Sequence, residues 1–210
     1  MKEFKPVDFY DEQTNLFFHK VNPKGESEER FFSMVDHWET EPIKRYLLSH
    51  TNHRLGTALR ANAFWGDDLY SVLNNRLEVI GTALINPNTT IAGTIDLMQY
   101  FLDYKDKQDE TIGFLTLKSA IKLLEKNQRG LYIRTFVVNP EQTHNGYGTN
   151  MLRTIVNNNT LLNNNAQPFC TMGMVREDNN FSKGAFKNAD FKTLPIFSEN
   201  YLKFYYMHEK

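Results

Sequence analysis

The sequence predicts an α/β fold in one domain spanning residues 1–210, on three observations. Apolar, β-rich runs of strand length alternate with segments whose apolar residues recur at helical spacing. One run, "VVNPEQTHNGYGTN" from Val137 to Asn150, passes through a proline and two glycines straight into a helical pattern. No internal repeat or linker-like stretch breaks the chain, and 210 residues lie near the upper end of a single domain.

Asn15 to Val21 reads as the first strand, closed by the breakers Asn22, Pro23 and Gly25. Ser27 ahead of Glu28 and Glu29, followed by Phe31, Phe32, Met34, Val35 and Trp38, predicts a helix with an acidic first turn. A second helical segment runs from Glu41 and Pro42 through Leu47, and a third from Leu55 to Phe64, before Gly66-Asp67-Asp68 turns the chain. Leu69 to Ile85 predicts a hairpin about Asn74-Asn75, because asparagine tolerates the positive φ of a tight hairpin turn. After Pro87 the pattern becomes helical, through Ile95, Met98 and Leu102, the charged loop Lys105 to Glu110, and Leu115 to Leu124. Residues 86–130 therefore read as a helical insertion between the third and fourth strands.

Leu131 to Val138 returns to strand character, and Met151, Leu152, Ile155 and Val156 give a helical stripe after Tyr147. The asparagine-rich stretch Asn157 to Asn165 reads as a polar loop. Phe169 to Val175 is apolar enough for a buried strand, Asp178 is placed to cap a short helix across Phe181 to Lys187, and "FKTLPIF" and "YLKFYYMH" form two final strands.

Composition narrows the function. Hydrophobic residues at 40% and 16 phenylalanines fit a globular chain that buries a real core. A formal charge of −1 with no basic run gives no electrostatic footprint for nucleic acid or an anionic membrane. A single cysteine, Cys170, excludes an internal disulfide and fits a reducing compartment. The N-terminal MKEFKPVDFYDE has no apolar core, and no run approaches the length of a membrane span, so a soluble, cytoplasmic protein is expected.

Strand, glycine loop and helix together make an anion site. The N–H groups of a first helical turn lack carbonyl partners, the helix dipole favours negative charge, and glycine removes the Cβ that would hold a phosphate away. A nucleotide P-loop is set aside because no lysine follows Gly148, and a dinucleotide fingerprint would need a third glycine where Met151 stands. The pyrophosphate of coenzyme A is the third use. A plain hairpin turn at Asn145-Gly146 is the alternative without a ligand, although "TNMLRTIV" behind it lacks strand alternation.

"FVVNPEQTHNGYGTNMLRTIV" resembles motif A of the GNAT superfamily of acyl-CoA-dependent N-acetyltransferases, roughly V-x-P-x-x-[QR]-x-x-G-x-[GA]. Val138, Pro140, Gly146 and Gly148 match, while Thr143 stands at the Gln/Arg position with Gln142 one residue early. "VREDNNFSKGAFKNADF", Val175 to Phe191, is similar to motif B: Asn179 and Phe191 match, whereas Phe186 replaces the family's tyrosine and Asp190 its glycine.

The resemblance implies a GNAT-type mixed, mostly antiparallel central sheet flanked by helices, and acetyl-CoA as co-substrate. It implies transfer of the acetyl group to a primary amine by direct attack, in a small-molecule or peptide acceptor. The backbone amide of Phe136 would polarise the thioester carbonyl. Cofactor contacts would come from Val137, Val138, Thr143, His144, Asn145, Gly146, Tyr147, Gly148, Thr149, Asn179 and Phe186. The family's glutamate base position holds Tyr132 and its tyrosine acid position holds Phe186, so neither usual proton-transfer residue is present. Three accounts remain: proximity with a water relay, the Tyr132 hydroxyl or a carboxylate from the N-terminal helices or the insertion, or an acyl-CoA-binding regulatory or sensor module with little or no transfer.

Other polar residues are read more simply. Arg134 shares a strand face with Tyr132 and could hold an acidic substrate group or be a solvated or salt-bridged strand arginine. His144 could touch phosphate or stand exposed, Tyr147 could simply pack at the helix start, and Cys170 reads as a buried small residue. His50 and His53 have no further ligands around them, so no metal site is expected. The 86–130 insertion departs from the family's short hairpin and could form a lid, thicken the core or make a homodimer contact.

Overall fold

The computed structural model describes residues 8–40, 44, 54–64, 66–90, 129–163, 166, 168, 170–198 and 201–208. The chain divides into two compact units, Met1–Asn86 with Arg134–Asn158, and Pro87–Ile133 with Asn159–Lys210.

In the first unit, β1 (Phe9–Asp11), β2 (Leu16–Lys20), β3 (Asp68–Leu73) and β4 (Val79–Thr90, as far as Asn86) form an antiparallel meander. The second half of β5 (Arg129–Val138) lies beside β4, and Asn139 N–H donates to the Ile80 carbonyl at 2.8 Å where the strand ends. Alternation along these strands sends Leu69 and Leu84 to one face. There they join Val21 and Val137 beneath α1 (Glu29–Asp36) and α2 (Leu55–Phe64), which contribute Phe31, Phe32, Val35, Leu55, Ala58 and Leu59. Each large apolar side chain buried this way contributes roughly 1.5–3 kcal/mol. Elsewhere in this unit Phe9 stacks on Phe18 at 5.0 Å, and Phe18 meets Tyr70 at 5.9 Å. Helix α3 (Tyr147–Asn157) buries Met151, Leu152 and Ile155, contacts β2, and is tied to the β1–β2 turn by the Thr14 and Thr154 hydroxyls at 2.5 Å.

In the second unit, the first half of β5 pairs in parallel with β6 (Cys170–Arg176), matching Leu131 to Thr171, Tyr132 to Met172 and Ile133 to Gly173. β6 continues antiparallel to β8 (Tyr201–Met207), which pairs with β7 (Lys192–Ser198). The short α4 (Asn159–Leu162) and α5 (Asn180–Asn188) complete this unit. The hydrogen-bonded order is β1-β2-β3-β4-β5-β6-β8-β7, a mixed and mostly antiparallel α/β sheet with helices.

Four expectations change. The Leu69–Ile85 hairpin forms, but its turn spans Asn74 to Glu78 rather than Asn74-Asn75: Asn74 N–H donates to Glu78 O at 3.0 Å, and the left-handed residue is Leu77 at φ 61°. The Asn74 carboxamide oxygen accepts the Arg76 and Glu78 N–H groups, an Asx-type turn that replaces the two-residue one. Strand β4 runs on to Thr90 and β5 begins at Arg129, so both margins of the 86–130 insertion are strand. Pro87 is tolerated because the β3 register ends with Asp68 opposite Ile85, leaving no β3 carbonyl that needs its missing N–H. The extra strand β1 moves the insertion from between the third and fourth strands to between the fourth and fifth. Within the asparagine-rich stretch, Asn159–Leu162 is helical and buries Leu162. Apart from Lys44, whose N–H donates to the Thr40 carbonyl at 2.8 Å, the helix expected near Glu41 to Leu47 lies outside the described residues, as does the interior of the insertion.

Candidate active site

The loop after β5 is built almost wholly from local hydrogen bonds. Asn139 accepts the Glu141 N–H at 3.0 Å, which starts the 3-10 turn Pro140–Gln142, and the Thr143 hydroxyl donates to the Pro140 carbonyl at 2.9 Å. The Asn145 amide reaches back to Gln142 at 3.4 Å. His144 at φ 71° and Gly146 at φ 75° then swing the backbone through left-handed conformations into α3. Asn150 N–H makes the first bond into the helix start, to Gly146 O at 3.1 Å. The amides of Tyr147, Gly148 and Thr149 therefore precede the first N–H that donates within the helix.

Thr143 to Gly146 are exposed, and among the described residues beyond its own chain neighbours a Cβ at Gly146 would meet no atom within 4 Å. Among the described residues, nothing crowds the approach to Gly146. No Lys or Arg lies between Asn139 and Asn150, so within the loop itself only amides and the helix dipole could attract an anion. Those donors fit a pyrophosphate.

Along β5, Leu131 and Ile133 are buried, whereas Arg134 emerges to solvent and Phe136 is half-buried. Tyr132 packs with Tyr205 against Cys170 and Met172. Arg134 Nε holds Asp67 Oδ2 at 2.5 Å, and Asn86 Nδ2 donates to Asp67 Oδ1 at 2.8 Å. Burial pushes the Asp67 carboxyl above its ordinary range, while the Arg134 charge and the Asn86 hydrogen bond pull it back. Asp67 and Asn86 were not anticipated as partners of this strand. The Gly66-Asp67 turn was visible in the sequence, but not the register that carries it to β5.

The second motif is structurally coherent. Asn179, not Asp178, caps α5, its Oδ1 accepting the Ser182 N–H at 3.0 Å. Asp178 is drawn away by Arg176, whose Nε donates to it at 3.0 Å. Asp190, at the family's glycine position, adopts φ 63°, the left-handed backbone that glycine would supply. Phe186 is 1% exposed, stacked on Phe204 and edge-on to Phe191, both at 4.9 Å. A Cβ at Gly173 would lie 2.6 Å from Phe186 Cζ, so the ring tip fills the space a side chain would take. The ring thus seats α5 on β6 and carries no proton.

Cys170 is fully buried, and burial pushes its thiol up to about 12, well away from a nucleophile's range. His50 and His53 lie outside the described residues. Among the described residues, no cluster of three or more metal-ligating side chains exists and no helix is long and apolar enough to cross a membrane. The first unit also holds a pocket of ≈ 380 Å³ lined by Phe17, Phe31, Met34 and Leu73, with His19 and Glu28 beside them.

The fold is that of the GNAT acetyltransferases. An acetyltransferase from Agrobacterium tumefaciens superposes with a TM-score of 0.58 at 11% identity, covering 99% of this chain and 98% of its own. A GNAT-family acetyltransferase from Bacillus anthracis gives 0.54 at 9%, covering 95% and 96%. A chimera of the spermidine N-acetyltransferase from Vibrio cholerae gives 0.55 at 9%, covering 92% and 95%. No protein-family model and no curated protein matches the sequence.

Proposed function

We propose that the protein is an N-acetyltransferase that moves an acetyl group from acetyl-CoA to a primary amine by direct attack on the thioester. The observation that carries this reading is the left-handed Gly146 opening α3 beneath an exposed loop of amides, in a chain with an acetyltransferase fold. Acetyl-CoA, when bound, supplies an activated acyl carbon and a good leaving group. The amides of Tyr147, Gly148 and Thr149 hold the pyrophosphate, with Thr143, His144 and Asn145 at the loop rim. The Val137–Val138 backbone guides the pantetheine arm, and Phe136 N–H stabilises charge on the carbonyl oxygen. The proton leaves the amine through water or the Tyr132 hydroxyl.

Asn179 and Phe186 serve this reading indirectly, one capping and one seating α5. The acceptor is a small-molecule or peptide amine, and the site is that of a soluble, cytoplasmic enzyme. Self-association as a homodimer is compatible with it, and a related spermidine N-acetyltransferase from Vibrio cholerae is dodecameric.

The second reading, an acyl-CoA-binding sensor without transfer, is favoured by the buried Phe186 ring at the family's acid position. Thiol release from acetyl-CoA across a panel of amines separates the two. Acetyl-CoA raising the melting temperature, with no thiol released on any amine, would leave the sensor.

A further inference from the structure

We infer that Arg134 selects the acceptor, its guanidinium recognising a carboxylate on the amine substrate; this rests on the transferase reading above. β5 is buried through Ile133 and surfaces at Arg134. The Arg134 side chain is 39% exposed, although its partner Asp67 is 5% exposed. Each oxygen of the buried carboxylate has a partner: Oδ2 lies against Arg134 Nε and Oδ1 accepts from Asn86 Nδ2. It therefore fixes one edge of the guanidinium without wrapping round the other.

Among the described residues Asp67 is the partner recorded for Arg134, and with over a third of its side chain exposed the guanidinium beyond Nε is accessible to a second carboxylate. A planar fork with parallel donors matches a carboxylate bidentately. Anchoring Nε beforehand removes much of the rotamer entropy that binding would otherwise cost. Arg134 also lies two residues before Phe136, on the same strand face and roughly 6–7 Å along it. A carboxylate held at the fork therefore brings a nearby amine of the same molecule towards the carbonyl that Phe136 N–H polarises. Asp67 is a positioning residue in this arrangement.

The experiment measures thiol release from acetyl-CoA with amino acids and dipeptides, each paired with its C-terminal amide, and with spermidine. The wild type should favour the free carboxylate, and Arg134→Gln should lower kcat/KM for it by about 10- to 100-fold, mainly through KM. In that variant the amides should be little affected and acetyl-CoA affinity unchanged, which shows that the fold is intact. Arg134→Lys should recover only part of the preference, since it restores charge without the fork. Asp67→Asn should raise KM for carboxylate acceptors and leave the amides alone. Equal or better turnover of the amides or spermidine by the wild type would overturn the inference and keep the transferase, as would a carboxylate preference that survives in Arg134→Gln. Absence of thiol release with every amine would overturn the transferase reading and this inference with it.

Discussion

Gly146 does two things that a β-branched substitution cannot separate. It turns the backbone at φ 75° and, among the described residues, leaves room for a Cβ with no atom beyond its chain neighbours within 4 Å. A β-branched residue strains the backbone as well as filling that space, at about 1–2 kcal/mol for the left-handed conformation alone. Asparagine tolerates that conformation, so Gly146→Asn isolates the ligand effect. We expect its melting temperature to stay within a few degrees of the parent's, while Kd for acetyl-CoA rises at least about tenfold, the equivalent of ~1.4 kcal/mol. Calorimetric titration checks this, and an unchanged Kd would remove the loop from the site. Phe186 shows the converse, a family position whose side chain has joined the core. Its missing hydroxyl was legible in the sequence, but the reason was not, since Gly173 and Phe204 meet it only in the fold.

At the scale of elements, the second unit turns on how α5 begins. Asn179→Ala should lower its stability by about 1 kcal/mol, the usual value of an N-cap, read as a shifted denaturant midpoint, whereas Asp178→Ala should shift it much less. The sequence had suggested Asp178, because capping preference alone does not distinguish neighbouring Asp and Asn; Arg176 decides between them. Helix Leu55–Phe64 and the strand–loop–helix at Val138–Tyr147 were legible because spacing and glycine placement act locally. Strand Phe9–Asp11 was not, since three residues carry no period and the strand exists only through pairing with Leu16–Phe18. Likewise Asn74 was recognised as a turn former, but its side chain's capture of two N–H groups lengthened the turn and moved the positive φ to Leu77. The candidate site divides the same way. Its backbone part was readable in the sequence, whereas the Arg134–Asp67–Asn86 link depends on strand register.

For the whole molecule, acid sensitivity should centre on His208. Asn159 Nδ2 donates to His208 Nδ1 at 3.0 Å, which assigns the ring proton to Nε2, 2.8 Å from the Thr171 hydroxyl. Burial pushes the imidazole down from 6.5 to about 4. Between those values the unfolded chain binds this proton and the folded chain does not, so stability falls as pH drops through that window. Asp67, whose carboxyl is raised, acts the other way: the folded state retains its proton better, so its contribution weakens as pH climbs above 3.8. His208→Gln keeps one acceptor and one donor while removing the titration. It should flatten the acid limb of a melting-temperature profile, and an unaltered slope would place the acid sensitivity elsewhere.

Cys170, buried beneath Tyr132 and Tyr205, is the sole sulfhydryl of the chain. In the native state it is both walled off and almost wholly protonated at neutral pH, with its thiol pushed up to about 12. A colorimetric reagent that counts liberated coenzyme A would therefore see almost no background from the folded protein. Any slow labelling of the protein would time the rare openings of the β6 core, so one reagent follows turnover and conformational breathing in the same cuvette.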